Sequence, residues 1–91
     1  MKVYCVSYDL KGIKRDYTPL LSALQSMGKW WHFLESTWLI ATNETPAEIW
    51  RRIATTIDTN DRLLIIEVRN NINGWLPKDA WDWISSNVPP P

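Results

Sequence analysis

Asp9 closes the run Lys2-Val3-Tyr4-Cys5-Val6-Ser7-Tyr8-Asp9, and a Lys11-Gly12 turn signal follows at once. A carboxylate at the C-terminal lip of a strand faces solvent or a ligand. Oxygen ligands of this kind suit magnesium, which keeps several waters and asks for only one or two carboxylates. The competing reading is local, because aspartate often bonds the backbone of the turn it opens. Three cations follow closely: Lys11, Lys14 and Arg15. They can meet phosphates or form an ordinary solvated loop.

Other reactive side chains are weaker candidates. His32 lies between Trp31 and Phe33 inside a strand pattern, far in sequence from Asp9. A histidine can act as a general base near neutral pH, but nothing pairs this one with a nucleophile, and a packed or edge-exposed ring is the plainer reading. Glu35 and Ser36 form a hairpin tip that either approaches a substrate or is simply solvated. Cys5 is the only cysteine, so no disulfide within the chain and no zinc cluster is expected, and it reads as a small buried hydrophobe. Trp30, Trp31, Trp38 and Trp50 could stack on single-stranded bases. Indoles more often fill a core or an interface.

The elements that must position these groups follow from periodicity. In the first strand Tyr4, Val6 and Tyr8 share one face, and Val3, Cys5, Ser7 and Asp9 share the other. Tyr17, Leu20, Leu21, Leu24 and Met27 recur at helical spacing, with Asp16 as the expected N-cap, Pro19 in the first turn and Gly28 as a left-handed stop. Lys29 to Leu34 and Thr37 to Thr42 read as a hairpin across Glu35-Ser36. Thr45-Pro46-Ala47-Glu48 is a capping box opening a helix to about Ile57. Arg62 to Val68 carries Leu63-Leu64-Ile65-Ile66, the pattern of a central strand buried on both faces. Asn70 to Gly74 is a turn cluster, and Pro77 opens a short helix from Lys78 to about Ser86. Trp75, Trp81 and Trp83, with Leu76 and Ile84, are expected to fold this segment back onto the sheet.

Ninety-one residues make one domain, here residues 1–88 with an extended, mobile proline tail at 89–91. Ten basic residues balance ten acidic ones. Nucleic-acid binders that work mainly through phosphates usually show a basic excess. The chain opens on strand pattern rather than a signal-peptide leader, and no apolar stretch is long enough to cross a bilayer, so a cytoplasmic protein is expected. The order β-α-β-β-α-β with a C-terminal helix predicts an α+β, ferredoxin-like split βαβ fold with a four-stranded antiparallel sheet. Both main helices then cover one sheet face. The apolar second face of the first strand asks for cover too, from the terminal helix or a second subunit.

Val6-Ser7-Tyr8-Asp9-Leu10, Leu24 to Gly28, Glu35-Ser36-Thr37-Trp38 and Asp61-Arg62-Leu63 together resemble small CRISPR-associated ferredoxin-like proteins. These are the second of the Cas proteins, partners of the spacer integrase. The same segments resemble the virulence-associated protein D ribonucleases. Over Met1 to about Val88, including Trp30-Trp31 and Asn73-Gly74-Trp75-Leu76-Pro77, the chain is similar to small bacterial proteins called the SinR family. The resemblance implies a homodimer packed through the open sheet faces, with two copies of Asp9 sharing one magnesium ion and Ser36 beside them. It implies metal-dependent endonuclease activity, on RNA more than DNA. The alternative is a non-catalytic dimeric scaffold for a protein or nucleic-acid partner. Two departures stand out. The CRISPR proteins usually carry consecutive arginines after the aspartate, where this chain has Lys11-Gly12-Ile13-Lys14-Arg15, and their C-terminal segment usually adds a strand where this chain reads as helix.

Overall fold

The computed structural model describes residues 1–12 and 16–91. Lys14 and Arg15, two of the three expected phosphate contacts, lie outside the described residues. Among the described residues, four strands and three α-helices run in the order β1 (Lys2–Asp9), α1 (Thr18–Ser26), β2 (Lys29–Leu34), β3 (Thr37–Thr42), α2 (Pro46–Ile53), β4 (Arg62–Glu67) and α3 (Lys78–Asn87). A 3-10 turn, Ala54–Thr56, extends α2. The strands form one sheet in the order β2-β3-β1-β4, and every neighbouring pair is antiparallel. The molecule is thus a mixed α+β fold built on a single four-stranded antiparallel sheet. No described helix is long and apolar enough to cross a membrane.

The alternation in β1 splits the interior into two layers. Tyr4 and Val6 join Leu20 and Leu24 of α1, Ile49 and Ile53 of α2, and Trp38 and Ile40 of β3 in the first core. Val3 points the other way, where Trp31, Leu39, Ala41, Ala80, Ile84 and Val88 form a second core under α3. Each side of the sheet therefore has apolar partners. Each fully buried Val, Leu or Ile contributes roughly 1.5–3 kcal/mol to folding.

Local chemistry sets the ends of the elements. The capping box at α2 is formed: the Glu48 N–H donates to Thr45 Oγ1 at 3.2 Å, and the Thr45 N–H donates to Glu48 Oε1 at 3.0 Å. The start of α1 differs from the expected one. The helix begins at Thr18, its N-cap is Tyr17 with no side-chain cap bond, and Asp16 accepts the Thr18 N–H at 2.9 Å from outside the helix. Asp16 satisfies its local hydrogen bond as an Asx-type contact two residues on. Gly28 has φ of 158°, not a left-handed helical cap. Glycine is needed there for another reason: a Cβ would collide with the carbonyl oxygen of Ala41 on β3.

Two further expectations are overturned. β4 is an edge strand, not a central one, and Leu64 and Ile66 are 59% and 53% exposed. The run Leu63-Leu64-Ile65-Ile66 is apolar on both faces, but only Leu63 and Ile65 pack, on the first core. Periodicity reports what a face could bury, not what lies on it. Trp75 does not fold back with its neighbours; it is 99% exposed. Trp81, Trp83 and Leu76 do pack against the second core.

Candidate site at the end of strand one

Antiparallel pairing carries the candidate residues to one end of the sheet. Asp9 is the last residue of β1, and its register partner on β4 is Arg62. On the other side of β1, the Tyr8 N–H donates to the carbonyl of Ser36 at 3.1 Å, which ties the β2–β3 turn to the same end. Asp9 and Ser36 are both exposed. A shallow hollow of about 300 Å³ lies between Ser7, Asp9, Arg62 and Leu64.

Asp9 is not alone there. Lys11 Nζ lies 2.9 Å from Asp9 Oδ2, with both side chains largely exposed. Asp9 Oδ1 has no hydrogen-bond or ion-pair partner among the described residues. Arg62 brings a second cation, which sequence reasoning missed as a site residue. Its Nη1 donates to the carbonyls of Asp61 at 2.9 Å and Thr59 at 3.3 Å, so the guanidinium is held by backbone at the mouth of the hollow. In the sequence it stood only as part of the Asp61-Arg62-Leu63 segment and at the start of a strand pattern, and that this strand begins opposite Asp9 appears only with the pairing.

Asp61 lies beneath this end of the sheet and is 6% exposed. Its Oδ1 accepts the Lys11 N–H at 2.8 Å, its Oδ2 accepts the Asp58 N–H at 2.7 Å, and the Tyr17 hydroxyl donates to both oxygens at 2.8 Å. Tyr17 Oη also accepts the Gly12 N–H at 3.2 Å. A buried carboxylate persists only when donors of this number replace its water. The bonds join the α2–β4 turn to the segment carrying Lys11, and so fix the backbone next to Asp9.

His32 is not brought to Asp9. Its ring stacks on Trp38, centroids 4.0 Å apart and 18° from parallel, and its Nε2 lies 3.1 Å from the Glu35 carbonyl. Trp38 belongs to the helix-covered core, whereas Asp9 has the opposite strand parity. The ring is packed against an indole rather than placed as a base. Cys5 is half-buried, and burial pushes its thiol above the usual value. A thiol held protonated is a poor nucleophile.

The donor set fits a magnesium ion in a restricted sense. One protomer offers one carboxylate, with Oδ1 open, and magnesium is commonly held by one or two carboxylates plus waters. An exposed ion pair such as Asp9–Lys11 is worth about 0.2–1 kcal/mol. Displacing Lys11 therefore weakens a cation at Asp9 by at most about fivefold. Among the described residues no group of three or more His, Cys, Asp or Glu side chains could hold a metal. No protein-family model matches this chain, and no solved structure matches it.

Proposed function

We propose that the chain is a ferredoxin-like domain that forms a homodimer through the uncovered part of its sheet and acts on RNA as a magnesium-dependent endonuclease. The strand order β2-β3-β1-β4, with α1 and α2 on one face, supports the fold reading. The observation that carries the function is the placement of Asp9. It is an exposed carboxylate at a strand end, flanked by Lys11 and Arg62, on the same side of the sheet as the exposed Leu64 and Ile66.

In this reading two protomers meet over that apolar strip, and Asp9 of each would hold the ion through its open Oδ1. Bound there, magnesium supplies Lewis acidity at a phosphoryl oxygen. The chain's own residues do the rest. Lys11 and Arg62 place positive charge where an RNA phosphate would lie. Ser36, on the neighbouring turn, offers a hydroxyl at the same end of the sheet. Asp61 and Tyr17 keep the Lys11 segment in place. The purified protein with magnesium is expected to cut single-stranded RNA, and Asp9→Ala is expected to abolish cutting. Equal trace activity in the two proteins would overturn the nuclease reading.

A second reading has one specific observation in its favour. Lys11 already neutralises Asp9, which is what a non-catalytic dimeric scaffold for a protein or nucleic-acid partner would show. Binding of RNA by the wild type without cleavage would select it.

A further inference from the structure

Trp75 is 99% exposed, while Trp31 and Trp38 are almost fully buried and Trp30 and Trp50 are each 44% exposed. It is nevertheless firmly presented. On one side the Trp81 ring lies 3.8 Å from where a side chain on Gly74 would begin, and the Gly74 N–H donates to Asn73 Oδ1 at 2.8 Å. On the other side Leu76 packs into the second core, and Pro77 caps α3. Those anchors place the segment on the α3 side of the sheet, the side on which Leu64 and Ile66 stand open.

We propose that Trp75 is the anchor of a self-association surface, its indole lying on the Leu64–Ile66 strip of a second copy of this chain. The proposal rests on the dimer reading above and names the contact that makes it. Knob and strip belong to one protomer, so a two-fold axis satisfies both twice, as an isologous interface requires. β4 is also an edge strand of the sheet. Its register with β1 is unbroken from Arg62 to Glu67, whereas the other edge, β2, is interrupted by a register shift between Trp31 and Leu34. Bulges are a standard guard against edge pairing, and here only one edge has the guard. Charge does not oppose self-association, since the formal net charge is zero.

The areas are of the right order. A buried indole contributes roughly 200 Å², and Leu64 and Ile66 add roughly 100 Å² each. The sum is about 400 Å² per protomer and 800 Å² for the pair, some two-thirds of the ~1,200 Å² at the lower end of stable interfaces. Ile72, 38% exposed, lies in the same segment between β4 and α3 as Trp75. A rigidly presented tryptophan is the residue type that most often dominates such a contact.

Sedimentation equilibrium over a concentration series tests this, with circular dichroism confirming the fold of each variant. Wild type is expected to dimerise. Trp75→Ala and Leu64→Lys are each expected to weaken the dimer at least about thirtyfold, the loss typical of an interface hot spot. Trp50→Ala, at another exposed indole, is expected to leave it unchanged. A dimeric wild type with an unaltered Trp75→Ala dimer overturns the anchor and leaves the dimer reading standing. A wild type that stays monomeric at about 100 µM, far above the micromolar affinity of a useful interface, overturns both. A Trp75→Ala protein that keeps the dimer but loses single-stranded RNA binding also overturns the anchor, and assigns the indole to base stacking.

Discussion

Trp31 and Leu64 both belong to the side of the sheet away from α1 and α2, yet one is 3% exposed and the other 59%. The difference is the reach of α3. Trp31 lies under Ala80 and Ile84, and its indole N–H donates to the Ala80 carbonyl at 3.2 Å. That contact both fills space and satisfies a buried donor. Leu64 and Ile66, three strands away on β4, receive no such lid. One half of the sheet's second face is therefore finished by the chain itself. The other half is left as an apolar strip beside Asp9. Burial of Trp31 on β2 and of Leu39 and Ala41 on β3 serves stability, and exposure on β4 is available for association. Val3 and Cys5 on β1 mark the seam, the first fully buried and the second half-buried.

The contrast breaks most directly at Trp31. Trp31→Ala should destabilise the isolated chain by about 3–5 kcal/mol, the usual cost of removing a buried aromatic side chain. Urea unfolding measures it, and a loss below about 1 kcal/mol would mean that α3 does not seal its half of the sheet. Leu64→Ser should sharpen the contrast from the other side. Measured at a concentration where the chain is monomeric, it should change stability by no more than about 0.5 kcal/mol, as surface substitutions do. A loss of 2 kcal/mol or more in that experiment would place Leu64 inside a core and remove the open strip.

Much of this layout was legible in the sequence. All four strands and three helices are read from periodicity, and the capping box of α2 names its first turn correctly. The Glu35-Ser36 turn is read correctly as well. What failed did so for physical reasons. The run Leu63-Leu64-Ile65-Ile66 has no polar face, so alternation could not show that one of its faces is open. Trp75 looked like its neighbours Trp81 and Trp83 because composition carries no direction. Asp16 looked like a cap because aspartate serves equally as an Asx-turn residue one position outside a helix. In the site, Asp9 and Lys11 were visible because they are close in sequence. Arg62 and Asp61 were not, since their relation to Asp9, Lys11 and Tyr17 spans 44 residues or more and exists only once β4 has joined β1.

Gly28 and Gly74 differ in how much freedom the fold leaves to mutation. At Gly28 the obstacle to a side chain is the Ala41 backbone itself, and φ is one that other residues rarely adopt. No rotamer change can relieve a collision with a carbonyl, and moving that carbonyl would separate β2 from β3. At Gly74 an added Cβ would meet only the Trp81 ring, 3.8 Å away, an ordinary contact. A saturation library selected for folding should therefore return glycine alone at position 28 and a range of small residues at position 74. Recovery of alanine at both positions would show that the hairpin tolerates displacement. In the space of sequences that keep this fold, the first glycine is a fixed point and the second is open to drift.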